Sequence, residues 1–199
     1  MNADSFYFLK DQYFIDFPDT NLMKNHERTP TGLHGRPCFF CMRDKKDKDI
    51  LWMIPISSKI AKYKSVIESK TKRWGRCDTI VIGKVLGNER AFLLQNMCPA
   101  TDKYVGREYT SNGKSIQLPE GLKNELHEKA ARVLETYTFR SKKVIFPDVE
   151  KIKSELLSQL AKDRAQENTQ SNEEQIRQPK KRRPVMRKKN TGKDQQRGR

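Results

Sequence analysis

An apolar run, Leu51-Trp-Met-Ile-Pro-Ile56, ends abruptly in Ser57, Ser58 and Lys59. Two hydroxyls and an ammonium at the mouth of a buried strand can hold a phosphate oxygen, with the backbone N–H groups there as further donors. The same residues also suit the plain duty of opening a helix, since serine is a common N-cap. Arg36 and Tyr13 add a guanidinium and a phenol, each with an equally ordinary reading as an ion-pair partner or a half-buried aromatic. Together these side chains suffice for one reaction on RNA. The 2′-hydroxyl beside a phosphodiester serves as nucleophile, so the protein aligns it, neutralises charge on the phosphorane and manages two protons. Alignment alone can lower a barrier by about 7 kcal/mol or more. DNA lacks that hydroxyl and is not an expected substrate.

Other chemistries find little support. Acidic residues are scattered over polar stretches, without the paired carboxylates that two-metal phosphoryl transfer needs. There is no glycine-rich phosphate loop and no nucleophile elbow. Cys38 and Cys41 form a C-x-x-C pair, but Cys77 and Cys98 stand singly and His26, His34 and His127 show no matching spacing. The pair fits a strand, where positions three apart face opposite sides. No metal or other cofactor is expected.

The elements that must position these groups can be read from periodicity. Residues 5–17 open with a short aromatic strand and continue as a turn or short helix to Pro18; 18–35 have a loop's Pro, Gly, Asn and Thr content. Residues 36–44 and 49–56 are apolar runs around a charged KKDK and predict a hairpin. Ile60, Tyr63 and Ile67 fall at helical spacing. Thr79–Leu86 and Arg90–Gln95 flank a turn at Gly87-Asn-Glu and look covered on both faces. Residues 98–117 are irregular, with a turn at Ser111-Asn-Gly-Lys. Two amphipathic helices follow: one carries Leu122, Leu126, Val133, Leu134 and Tyr137; the other carries Val149, Ile152, Leu156, Leu157 and Leu160, with Asp148 as N-cap. The expected fold class is therefore α/β (α+β), a compact, bent antiparallel sheet packed by helices.

The chain has 199 residues, 41 Lys+Arg and 25 Asp+Glu, a net charge of +16. Residues 177–199 hold +10 of it, leaving +6 on the other 176. Such an excess points to a polyanion, since neutralised phosphates release their counterions. Residues 1–164 read as one domain and 165–199 as a disordered basic tail, too poor in apolar residues to offset its backbone entropy. No run of about 20 apolar residues could span a membrane, and the first residues lack a signal peptide's basic start. A cytoplasmic protein with reduced thiols is expected.

Taken in order, FYFLKDQYF (6–14), GRPCFFCMRDKKDKDILWMIPISSKIAKYK (35–64) and CDTIVIGKVLGNERAFLLQNMCPATDKYV (77–105) resemble the endoribonuclease toxins of type III toxin–antitoxin systems, the ToxN, CptN and TenpN groups. The resemblance covers roughly residues 5–140 and is nearest the CptN and TenpN side. It implies a MazF/Kid-like sheet with added helices and metal-independent cleavage of RNA to 2′,3′-cyclic phosphate and 5′-hydroxyl ends. It also implies an inhibitor that is a repeat RNA, cut by the toxin into pseudoknot units, with toxin and RNA closing into hetero-oligomeric rings. By the same resemblance the catalytic residues are Tyr13, Arg36, Ser57, Ser58 and Lys59, with Lys59 the principal one. ToxN relatives have lysine where Arg36 stands, and arginine cannot act as a base, so Arg36 is expected to stabilise charge. The general base stays open between Tyr13, Lys59 and the phosphate itself, with His34 as a stand-in. Outside the site, Lys62, Lys64, Lys70, Lys72 and Arg73, interleaved with Tyr63 and Trp74, form a candidate RNA-binding strip. Two rival readings remain: a type II MazF-like ribonuclease held by a protein antitoxin, and an RNA-binding protein without catalysis.

Overall fold

The computed structural model describes residues 1–29, 32–140 and 143–177. It divides into two units, Met1–Leu160 and Ala161–Arg199. In chain order the strands are β1 (Phe6–Leu9), β2 (His26–Thr29), β3 (Gly32–Gly35), β4 (Pro37–Arg43), β5 (Leu51–Ser57), β6 (Val81–Val85), β7 (Asn88–Phe92), β8 (Cys98–Ala100), β9 (Val105–Glu108), β10 (Thr110–Ser111) and β11 (Lys114–Ser115). The helices are α1 (Asp11–Asp16), α2 (Ile60–Trp74), α3 (Glu120–Arg140) and α4 (Val149–Arg177). The fold is α+β. Seven strands form one antiparallel sheet in the order β6-β7-β5-β4-β1-β9, with β8 also on β5.

The centre of that sheet is β5, all seven of whose residues are buried. Its first half pairs with β8, Leu51 opposite Ala100, and its last two residues pair with β7, Ser57 opposite Ala91. Pro55 sits where the partner changes. Its carbonyl accepts the N–H of Leu93 (3.0 Å), and no ladder bond has to come from the amide hydrogen proline lacks. A 3₁₀ turn at Leu94–Asn96 carries the chain from β7 to β8 across this gap.

The pleat sorts side chains to two faces. Phe39 and Cys41 of β4, with Trp52, Ile54 and Ile56 of β5, pack with Leu126, Ala130 and Val133 of α3. Cys38 and Phe40, with Leu51 and Met53, pack with Tyr13 and Phe17 of the α1 segment and with Ile152 and Leu156 of α4. The two cysteines of the C-x-x-C pair thus lie on opposite faces, and all four thiols are buried and free. Asp148 caps α4 as its side chain accepts the N–H of Lys151 at 3.1 Å.

Five expectations are corrected. Residues 26–35, read as loop, contain the β2–β3 hairpin, His26 opposite Gly35. The irregular stretch 98–117 contains β8 to β11. The β6–β7 turn lies at Leu86-Gly87, with φ of 51° and 76°, a two-residue type I′ geometry that twists with its strands. The pair is not covered on both faces, because the middle of β6 is only partly buried and the start of β7 is exposed. Finally, α4 runs to Arg177, so 165–177 is helical rather than disordered. Its Ala, Gln and Glu favour helix without burial, and no proline intervenes before Pro179. The basic run beyond lies outside the described residues. Among those described, no helix is long and apolar enough to cross a membrane.

Candidate active site at the end of the central strand

Burial along β5 stops at Ser57. Its side chain is 2% exposed, and its Oγ accepts the backbone N–H of Lys59 at 3.3 Å, which folds the chain over into α2. The Ser58 carbonyl takes the Ile60 amide at 2.8 Å. Ser58 and Lys59 are both exposed. No side chain caps α2 and its first turn holds no acid. The positive end of its dipole therefore lies beside Ser58 and Lys59. Of the two serines, Ser57 shapes the turn and Ser58 is presented.

Behind this turn stands Arg36, 8% exposed. Its Nη1 donates to the Ile56 carbonyl at 2.9 Å, and its Nε to the Lys24 carbonyl at 3.0 Å. A guanidinium is thereby fixed one residue from Ser57. Two of its donors are committed to carbonyls, and what it brings is a fixed charge and a brace. Its own backbone N–H goes to Asn25 at 2.6 Å.

That bond leads to a group the sequence reading missed. Asn25 Nδ2 and His26 Nε2 both meet Asp11 Oδ1, at 2.5 and 2.9 Å. The Asn25 amide and the His26 ring hold the Asp11 carboxyl below its ordinary value. No strand signal marks this arm: His26–Thr29 and Gly32–Gly35 carry little of the β-branched and aromatic alternation of a strand. His34 is exposed on β3, two residues before Arg36 in the chain.

Tyr13 is not brought to the site. It is fully buried, its hydroxyl donating to the Pro99 carbonyl at 2.8 Å, and burial, with the neighbouring Cys98, pushes its pKa well up. The basic strip also divides. Tyr63 is core, packed with Cys77, Ile80, Ala91 and Leu93. Lys64 Nζ lies 2.8 Å from a Glu89 oxygen. Lys70 Nζ donates to Thr79 Oγ1 and Gln95 Oε1, at 2.7 and 2.8 Å, and burial lowers its pKa. Lys62, Lys72 and Arg73 remain at the surface. Among the described residues, no three His, Cys, Asp or Glu side chains converge as metal ligands.

No family model matches the sequence, and no curated protein matches it. Solved structures do. One is AbiQ, a lactococcal anti-phage endoribonuclease belonging to the type-III toxin–antitoxin system, with 13% sequence identity and a TM-score of 0.60. The match takes in 80% of this chain and 99% of AbiQ. The chain has the fold of AbiQ over nearly that protein's full length.

Proposed function

We propose that this chain is the toxin of a type III toxin–antitoxin system, an endoribonuclease that cuts RNA through its own 2′-hydroxyl and acts in the cytoplasm. The observation that carries this is the corner where β5 meets α2: Ser58 and Lys59 exposed, Ser57 bracing the turn and the Arg36 guanidinium fixed behind. The fold shared with AbiQ supports it, as does the order of motifs along the chain.

In this reading the scissile phosphate rests against Ser58 and the amides that open α2, with Lys59 and Arg36 supplying positive charge. The 2′-oxygen attacks phosphorus and the bond to the 5′-oxygen breaks, leaving a 2′,3′-cyclic phosphate and a 5′-hydroxyl. Lys59 protonates the departing oxygen. The 2′ proton passes to the imidazole of His34 as general base. No step calls on a metal ion. The partner is a repeat RNA that the same site cuts into units and then holds, in rings of toxin and RNA.

RNA incubated with the protein in excess EDTA tests the chemistry. Cleavage to cyclic-phosphate ends is expected. Binding without cutting would leave an RNA-binding module, and relief of toxicity by a small neighbouring protein, not a repeat RNA, would indicate a type II system. Lys59→Ala should lose about 10²–10³-fold in rate, the usual cost of one preorganised donor, and keep its fold. A fully active variant would remove the central assignment.

A further inference from the structure

The far end of α2 opens on a second cleft, of about 580 Å³, between the segment after that helix, α3 and the segment before α4. One wall is Trp74, the last residue of α2, 60% exposed. A tryptophan left in water forgoes the largest apolar burial a side chain can make. Phe146, 40% exposed, lines the cleft as well. Four cations, Lys70, Arg76, Arg132 and Lys143, share it with a single acid, Asp78. That carboxylate is largely buried and meets both Arg76 Nε (3.0 Å) and Arg132 Nη2 (3.4 Å), while Arg132 Nη1 lies 3.9 Å from Glu128. Asp78 thus fixes two guanidiniums side by side and leaves the cleft with an excess of positive charge.

An exposed indole next to two positioned guanidiniums has a definite chemical complement. The ring offers a face for a base, and the arginines offer charge-assisted donors to a phosphate. A protein ligand would have to be both acidic and aromatic to match it; every nucleotide carries both features.

We propose that this cleft holds one unpaired nucleotide of an RNA strand, its base against Trp74 and its phosphate on Arg76 and Arg132. The proposal rests on the reading of the chain as an RNA-binding enzyme but concerns a place distinct from the cutting corner. The 15 residues of α2, at about 1.5 Å each, set the two roughly 22 Å apart. Lys62 and Arg73, eleven residues apart and so on nearly the same helical face, lie along the way. The helix then acts as a ruler: RNA that fills only the corner is cut, and RNA long enough to reach Trp74 is held as well.

The chain's two tryptophans make the test direct. Trp52 is 4% exposed and hydrogen-bonded to Asp44, so ligand-induced change in emission reports on Trp74. The probe is an unstructured RNA dodecamer with 2′-O-methyl groups throughout, which binds but cannot be cut. Wild type should show quenching on binding, and heparin, a polyanion without bases, should not produce it. Trp74→Ala should abolish the quenching and loosen binding by roughly 5- to 150-fold, the equivalent of the ~1–3 kcal/mol of one stacked base. Arg132→Gln should weaken binding and lower the salt slope by about 0.7, one phosphate contact to a single strand. Cleavage of a trinucleotide should be unchanged in Arg132→Gln. Wild-type affinity in both variants, or equal quenching by heparin, would overturn the cleft while leaving an enzyme that cuts RNA intact. Failure of wild type to bind or cut any RNA would overturn the proposed function together with it.

Discussion

Tyr13 shows how residue type and surroundings can part. A phenol at the right distance along the chain suits a proton acceptor, yet Tyr13 has no exposed surface, and Phe14, Phe17 and Tyr104 ring it at centroid distances of 5.1–5.6 Å. Its hydroxyl satisfies the Pro99 carbonyl next to Cys98 of β8. Tyr13→Phe should therefore cost about 1–3 kcal/mol of stability, from a buried carbonyl left without its donor, and leave the cleavage rate unchanged. Denaturant unfolding and a cleavage assay on the same preparation check this; an inactive variant of full stability would return Tyr13 to the chemistry. Ser58 and Lys59 were legible in the sequence because a strand's end and a charge after it are local facts. The brace made by Arg36 was not, since its two acceptors, the carbonyls of Lys24 and Ile56, come together only in the folded chain.

At the scale of elements, what was legible followed the strength of the pattern. The β4–β5 hairpin and the helices α3 and α4 announced themselves by apolar runs and stripes longer than any accident. The β2–β3 arm did not, because its strands are four residues long, poor in β-branched and aromatic residues, and pair only with each other. One join between elements carries a pH dependence. Asp44, after β4, accepts the amides of Lys46 and Asp47 and the indole of Trp52, and its Oδ2 lies 3.0 Å from Lys153 of α4. Burial tends to raise its pKa, but the Asp47 amide, the Lys153 ammonium and the other donors outweigh it and hold the carboxyl below its ordinary value. A carboxyl with a lowered folded pKa contributes stability above its unfolded value and loses it as pH falls through the folded one. Asp44→Asn should thus be less stable than wild type at pH 7 by about 1–2 kcal/mol, with the gap closing below roughly pH 4. Urea unfolding at pH 7 and pH 3 measures it; an equal deficit at both would show that shape, not charge, is what Asp44 supplies.

For the whole molecule, the sequence gives the sum of charge but not its placement. A net +16 forecasts a polyanionic partner, and yet Lys64 and Lys70 turn out to serve the protein itself. Of the basic strip on α2, Lys62, Lys72 and Arg73 remain outward, beside the guanidiniums of the Trp74 cleft. The densest charge, the +9 of residues 178–199, lies outside the described residues. Salt dependence separates these contributions without needing any geometry, because each phosphate contact adds about 0.7 to the slope of log affinity against log salt on a single strand. A chain ending at Arg177 should bind the uncuttable dodecamer more weakly than the full chain and with a shallower slope. It should still cut RNA at saturation, because Lys59 and its neighbours are untouched. A slope unchanged by the deletion would mean that the terminal charges never meet the RNA. A slope reduced to zero would mean that the body grips no phosphate, which the fixed cations at both ends of α2 make physically unreasonable.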